Sequence, residues 1–312
     1  MIRERLEALG EQVEIVRITV AGDERRRGSS PPSVPAGDKS RFVKEIEEAL
    51  LAGEIDLAVH SAKDVPGELP DGLAIVGVPA RGDPRDALCG AQSLEELPEG
   101  AAVGTASLRR RAQLLATRPD LEVRELRGNV DTRLRRLGDG DVQALVLAAA
   151  GLDRLGRSEG QPIPEATMTP APGQGSLALE ARTSDTRARG LAGRLTDRPA
   201  LVELTAERAL VSTLDASCQT PVGARAKLGG DVLELAAFAG MPDGSAWVRD
   251  ALAGEPADPA ALGHAVGERL LAAGAGELLA AAERAAGAES ESEGEGEGEG
   301  EGEGEGEGEG DH

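Results

Sequence analysis

The sequence lacks any run of about 18 apolar residues, so no segment reads as a membrane span. Its N-terminal stretch, MIRERLEALGEQ, is charged and amphipathic without a long apolar core, which does not fit a secretory signal. Cysteine is nearly absent: Cys89 and Cys218 are the only two in 312 residues, too few for a disulfide framework. A cytoplasmic protein is expected. Histidine is limited to His60, His264 and His312, which excludes a histidine-based metal cluster, and two distant cysteines make no zinc site. No metal is expected. Lysine is scarce, with Lys39, Lys44, Lys63 and Lys227 the only four among 34 Lys+Arg. Basic charge is outweighed overall, since the net charge of −22 argues against nucleic-acid binding. An acid-rich, lysine-poor chain points to a high-salt cytoplasm, where screening removes the self-repulsion, and stability or activity should fall without molar salt. A phosphate-binding motif is also missing: PGQGSLALE is not GxGxxG, and nothing matches a P-loop.

The acidic charge is unevenly placed. Residues 288–312 hold twelve acids, no Lys or Arg, and a Glu-Gly alternation from Glu293 to Gly310. They read as a disordered acidic tail, leaving −10 for a globular body over residues 1–287. Inside that body, Gly104–Arg136 contains nine Arg against Asp120, Glu122, Glu125 and Asp131, a window of +5.

Periodicity organises the body into blocks. Residues 3–9 read as a short helix and Glu14–Val20 as a strand, followed by a long unpatterned loop over 21–38. Lys39–Leu51 is an amphipathic helix closed by Gly53. Ile55–Val59 is a strand entering the polar turn HSAKDVP, Leu73–Val78 is another strand, and the polar turn Arg81–Asp86 marks a boundary. A second block follows. Strand Ala101–Val103 leads into a helix capped by Thr105 or Ser107, then come strand Leu121–Leu126, helix Asn129–Leu137, strand Ala144–Leu147 and helix Ala148–Leu155. Such alternation implies βαβ units and parallel sheets. The Pro-rich run Gln161–Pro172 is a second connection, with strand Leu177–Arg182 after it. The expected architecture is two doubly wound α/β domains joined by two crossings, with a central cleft where strand carboxyl ends meet helix N-termini. From Leu201 the pattern changes to a helix, a turn holding Cys218, strands at Ala224–Leu228, Val232–Ala237 and Ala246–Ala251, and a helix over Pro259–Ala286. That is a small α+β domain. The expected division is 1–80 plus 174–197, then 84–170, then 200–287, then the tail 288–312.

Several Arg of the basic window sit at strand-to-helix turns: Arg109 and Arg110 after GTAS, Arg127 in LRGN, and Arg133 in NVDTR. Arg154 holds a like position in AAAGLDRLG. Guanidinium forks and helix N-termini both favour carboxylate or phosphate. Arg111, Arg118, Arg135 and Arg136 read instead as a solvated helix face with ion pairs. The string AVHSAKDVP clusters Ser61, Lys63 and Asp64 in one turn. An Asp beside a Lys reads either as a turn ion pair or as an acid that exchanges protons and stabilises a developing cation. His60 reads as structural. Cys218, in the polar loop DASCQTPVG, is a plain loop residue or, once deprotonated, a covalent attachment point. Cys89, in DALCGA, reads as a small core residue.

Taken in order, RFVKEIEEALL, DLAVHSAKDVP, RGDPRDAL, VGTASLRRRAQL, LRGNVDTRL, AAAGLDRLG, APGQGS, TAERAL and CQTPVGARA closely resemble the porphobilinogen deaminase family, from about residue 3 to about residue 285. The resemblance implies a periplasmic-binding-protein-like pair of domains with a small C-terminal domain. It also implies a transferase of porphyrin and haem biosynthesis that builds the linear tetrapyrrole hydroxymethylbilane from four porphobilinogen units, releasing ammonia each time. The chain grows on a dipyrromethane cofactor held by a thioether to a cysteine, matched here by Cys218. Asp64 matches the acid that assists ammonia loss and stabilises the positive azafulvene and pyrrole nitrogens, with Lys63 beside it. Cofactor contacts are matched by Ser61, Lys63, Thr105, Ser107, Arg109, Arg110, Arg127 and Arg133. Substrate contacts are matched by Arg127, Arg133, Arg154, Gln174, Phe42 and Lys39, the last two on a mobile loop and its adjoining helix. Porphobilinogen and the growing pyrrole chain are the implied ligands, and one cleft per chain implies a monomer.

The sequence departs from the family pattern. The family opens with a strand and an R-x-S-x-L-A motif before the first helix, and Met1 lies where that helix already begins. A lost strand would leave an unpaired apolar edge. The expectation is a true start upstream of Met1, visible by mass spectrometry of the native protein. The alternative is a non-catalytic two-lobed relative. Asp38 and Arg41 beside Lys39, Ala106 in GTAS, and Ala216-Ser217 before Cys218 are milder departures.

Overall fold

The computed structural model describes residues 1–18, 39–217 and 220–295, the side chains of 39–42 and 286–295 excepted. The loop 21–38, the residue Cys218, the side chains of Lys39 and Phe42, and residues 296–312 of the acidic tail lie outside the described residues. No described helix is long and apolar enough to cross a membrane.

The described strands form three sheets. The first contains β1 (Ala58–Ser61), β2 (Leu73–Gly77) and β8 (Leu177–Arg182), in the order β1-β8-β2. The second contains β3 (Asp86–Cys89), β4 (Ala102–Gly104), β5 (Glu122–Arg124), β6 (Ala144–Ala148) and β7 (Gln161–Pro162), in the order β5-β4-β6-β3-β7. The third is the antiparallel meander β9 (Val222–Gly229), β10 (Val232–Gly240) and β11 (Trp247–Gly254).

The central strands β3, β4, β6 and β8 are covered on two faces, which explains their near-continuous burial. In the second sheet, Leu88, Val103 and Val146 face Leu114 of α3 (Leu108–Thr117). Ala87, Leu145 and Leu147 face Leu152 of α5 (Ala149–Arg154) and the apolar side of α4 (Val130–Gly138). In the first sheet, Leu179 packs with Ile2 and Leu6 of α1 (Ile2–Glu7) and Leu195 of α6 (Thr186–Leu195). Its other face meets Leu50 of α2 (Lys39–Ala52) and Leu204 of α7 (Arg198–Thr213). In the third unit, Leu233 and Leu235 pack against Leu210 of α7 and against Leu262, Val266 and Leu270 of α8 (Pro259–Ala272).

Capping fixes where several helices begin. Asn129, Asp185, Asp197 and Asp258 each accept a backbone N–H three residues on, and Pro199 and Pro259 stand in the first turns after two of them.

Four expectations change. The sheets are mixed, because each lobe receives one strand from a crossing: β3 runs antiparallel to β6, and β8 antiparallel to β1 and β2, while β4 is parallel to β5 and β6. Asp86, placed in the polar turn Arg81–Asp86, instead opens the fully buried strand Asp86–Cys89. The stretch Glu14–Val20 is not a strand in its described part, residues 14–18, where Ile15 and Val16 are 69% and 50% exposed. Among the described residues no strand lies beside the outer edge of β1, whose Val59 is 46% exposed, so that edge is open and residues 14–18 do not pair with it. Finally, the helix over Pro259–Ala286 is two helices. Gly274 takes φ +94°, which ends α8, and α9 (Ala275–Glu295) then runs past Ala288, where the tail was expected to begin.

One buried polar cluster lies under β1. His60 Nε2 sits 2.9 Å from Glu180 Oε2, and Glu47 of α2 is buried nearby. Burial pushes the Glu47 carboxyl up, and the charge of Glu180 adds to the rise. An acid whose folded pKa is raised contributes stability below its unfolded pKa and loses it as pH rises through the folded value. Glu47→Gln should therefore melt with wild type near about pH 4.5 and above it near about pH 8. An equal difference at both pH values would contradict the burial of a costly charge.

Candidate active site

The site is built where two chain crossings meet. Ser61 closes β1, and Ala62–Asp64 form a 3-10 turn directly after it. Gly173, at φ +74°, presses against that turn: a Cβ there would lie 3.0 Å from Ala62 C and Lys63 N. Lys63 Nζ donates to Gln174 Oε1 at 3.3 Å. Asp64 is half-buried.

Across the crossings lies a carboxylate that the sequence motifs did not single out. Asp86, fully buried at the start of β3, accepts from Arg109 Nη1 at 2.8 Å and Nη2 at 3.1 Å, from Arg110 Nε at 2.8 Å, and from Gln174 Nε2 at 3.0 Å. The two guanidiniums hold its carboxyl far below the usual carboxylate range, against the cost of burial. Arg109 Nη1 also donates to Thr169 O, and Arg110 Nη1 to Val146 O. Gln113 clasps the backbone of Thr169 from both sides, donating to its carbonyl at 3.0 Å and accepting from its N–H at 2.7 Å.

The third unit pins the crossings from behind. Glu207 of α7, fully buried, accepts from Arg81 Nη1 and Nη2 at 2.8 and 3.1 Å, from Gly173 N at 2.6 Å and from Ala226 N at 2.8 Å. Glu203 binds both Arg81 and Arg225. One carboxylate thus ties both crossings to β9.

The residues expected to bind anions divide into groups. Arg109 and Arg110 are buried and already engaged by Asp86, so they do not face the cleft as bare guanidiniums. Arg127 is exposed and pairs with Glu125 at 2.6 Å. Arg154 donates Nη2 to Gly175 O at 2.6 Å, beside Gly82. Arg133 is half-buried at the start of α4, and burial alone pulls its guanidinium below the usual range. Its charge acts on Arg110. Thr105 is buried, with Oγ1 accepting from Ser107 N at 3.2 Å at the N-terminus of α3. Gln174 is fully buried with its amide engaged on both sides, which removes it from direct contact with a ligand in the cleft. Cys218 and the side chains of Lys39 and Phe42 are outside the described residues. Of the Arg expected on a solvated face, Arg118 pairs with Asp120 and Arg136 with Asp141. Cys89 is buried, and desolvation pushes its thiol up to about 11, which leaves it inert as a nucleophile.

Asp86, Glu207 and Gln113 were missed because their partners lie far along the chain. The available signal was RGDPRD, whose four charges at a crossing demand partners once buried.

The fit to a polycarboxylate rests on orphaned donors. Arg109 Nε and Arg133 Nε are buried without a hydrogen-bond acceptor. A desolvated guanidinium N–H lacking an acceptor is costly, and a ligand carboxylate relieves it with a charge-assisted bond. Arg109 is already held by Asp86, so of the two it is Arg133 Nε that fits a ligand acetate or propionate group.

Comparison with known proteins agrees. Two family models match: porphobilinogen deaminase, dipyromethane cofactor binding domain, over residues 1–190, and porphobilinogen deaminase, C-terminal domain, over residues 201–272. A porphobilinogen deaminase of Roseiflexus castenholzii is 48% identical over 289 residues, covering 90% of this chain and 93% of its own. One of Brevibacillus brevis is 47% identical over 250 residues, covering 78% and 80%. The periplasmic aliphatic sulphonate binding protein SsuA from Escherichia coli is a distant structural likeness, 13% identical with a TM-score of 0.33 over 55% of this chain and 57% of that one.

Proposed function

The chain belongs to the porphobilinogen deaminase family, and on that premise we propose how its own residues carry the reaction. It is a transferase that removes ammonia from porphobilinogen and joins four units into hydroxymethylbilane. Residues 1–80 with 174–197 form one wall of the cleft, residues 84–170 the other, and residues 200–287 the unit that carries Cys218. When bound through Cys218, dipyrromethane supplies the free pyrrole carbon to which the first unit is joined. Arg133 and Arg127, with Ser107 at the N-terminus of α3, hold acetate and propionate groups by charge-assisted hydrogen bonds. Arg109 and Arg110 stand behind them, neutralised in part by Asp86, and add field without being displaced. Arg154 holds the incoming unit. Asp64 supplies negative charge where positive charge develops as the amine leaves. Lys63 and Ser61 frame its turn.

The observation that carries this reading is the juxtaposition of the Asp64 turn, through Gln174, with the buried Asp86–Arg109–Arg110 cluster. Intact-mass measurement tests it. The wild-type chain should carry two pyrrole units, and Cys218→Ser should lose both the adduct and turnover. An unmodified, inactive full-length wild-type chain would overturn the reading and leave a non-catalytic two-lobed relative.

A further inference from the structure

Both lobes of the site converge on one buried amide. Gln174 Oε1 accepts from Lys63 Nζ at 3.3 Å, on the turn that carries Asp64. Its Nε2 donates to Pro84 O at 2.7 Å and to Asp86 Oδ1 at 3.0 Å. Its backbone carbonyl accepts from Arg81 Nε at 2.9 Å. The amide can point only one way, because an ammonium only donates and a carboxylate or carbonyl only accepts. A carboxylate could not donate to Asp86, and an ammonium could not accept from Lys63. The flanking backbone leaves the side chain no other course. Gly173 lies against Ala62 and Lys63, and Gly175, at φ +87°, would place a Cβ 2.6 Å from Gly82 O.

We propose that Gln174 is a positioning residue, whose amide holds the Lys63–Asp64 turn of one lobe in register with the Asp86–Arg109–Arg110 cluster of the other. It acts through Lys63 and Asp86 and makes no contact with substrate. The groups around it are Lys63 and Asp64 on the turn, Arg81 and Asp86 on the first crossing, Arg109 and Arg110 behind Asp86, and Glu207 on Gly173 N. The proposal rests on the reading of Asp64 and the arginines as the reaction site.

Steady-state kinetics of the cofactor-bearing chain separate the roles. Gln174→Met removes donor and acceptor at similar volume, while Gln174→Glu keeps an acceptor for Lys63 and loses the donor to Asp86. Both should lower kcat by about tenfold or more, with KM for porphobilinogen within about twofold of wild type. Because Gln174 acts through Lys63, the kcat effects of Gln174→Met and Lys63→Met should be non-additive in a double-mutant cycle, by about threefold or more. If Gln174→Met does not fold, the cycle is run with Gln174→Glu. A raised KM with kcat unchanged would make Gln174 a substrate contact and overturn the proposal. Additive effects would reduce it to a packing residue and also overturn it. Near-normal turnover of Asp64→Asn would show instead that the underlying site reading fails.

Discussion

Asp64→Asn is expected to lower kcat by about two to three orders of magnitude, the usual loss when one electrostatic stabiliser of a transition state is removed. Loss of ammonia from porphobilinogen leaves positive charge spread over the pyrrole nitrogen and its adjoining carbon. In the proposed site the ligand's carboxylates are held by cations, Arg127, Arg133 and Arg154 among them, whose field opposes that charge. Asp64 supplies the opposite sign from a half-buried turn, where a carboxylate acts through a lower effective dielectric than in water. Asparagine keeps the shape and removes the charge. Turnover measured beside circular dichroism distinguishes chemistry from folding. Activity within about threefold of wild type would remove Asp64 from the mechanism.

The second large effect is on stability. Asp86→Ala should cost about 3–5 kcal/mol of unfolding free energy, because it strips the shared counterion from two buried guanidiniums. It also leaves the Gln174 amide without its carboxylate acceptor. The pH dependence follows from the direction of the shift. Asp86 is held well below its ordinary value of 3.8, so its stabilising contribution is present above that value and is lost only as pH falls far below it. The penalty of Asp86→Ala should therefore be the same at about pH 6 and about pH 8. Urea unfolding at the two pH values checks this. A loss under about 1 kcal/mol, no larger than an ordinary surface substitution, would show that the arginines find other partners.

Much of the local structure was readable in advance. Leu177–Arg182 was expected as a strand and forms β8 over the same residues. Asn129, expected at a helix start, caps α4 with its side chain. Apolar runs such as Ala144–Leu147 are strands buried on both faces, as such runs in α/β sheets should be. Errors fell where a partner far along the chain decides the outcome. Asp86 looked like part of a turn because its charge was visible and its partners Arg109, Arg110 and Gln174 were not. Residues 14–18, the described part of Glu14–Val20, have a strand's alternation but no ladder, because alternation by itself supplies no hydrogen-bonded partner.

The site shows the same division. The Arg window, the Ser61-Lys63-Asp64 turn and the family motifs are contiguous strings, so local chemistry and resemblance could single them out as candidates. By itself the sequence determined the family, the reaction, and the need for many guanidiniums in an acidic chain. Which guanidiniums remain for a ligand was decided only by tertiary structure. Asp86 lies 23 residues from Arg109 and 88 from Gln174, and Arg81 lies 126 from Glu207. Composition and spacing carry no record of such pairs. They form because two crossings and a helix of the third unit exclude water at one point, and charges buried there must find one another.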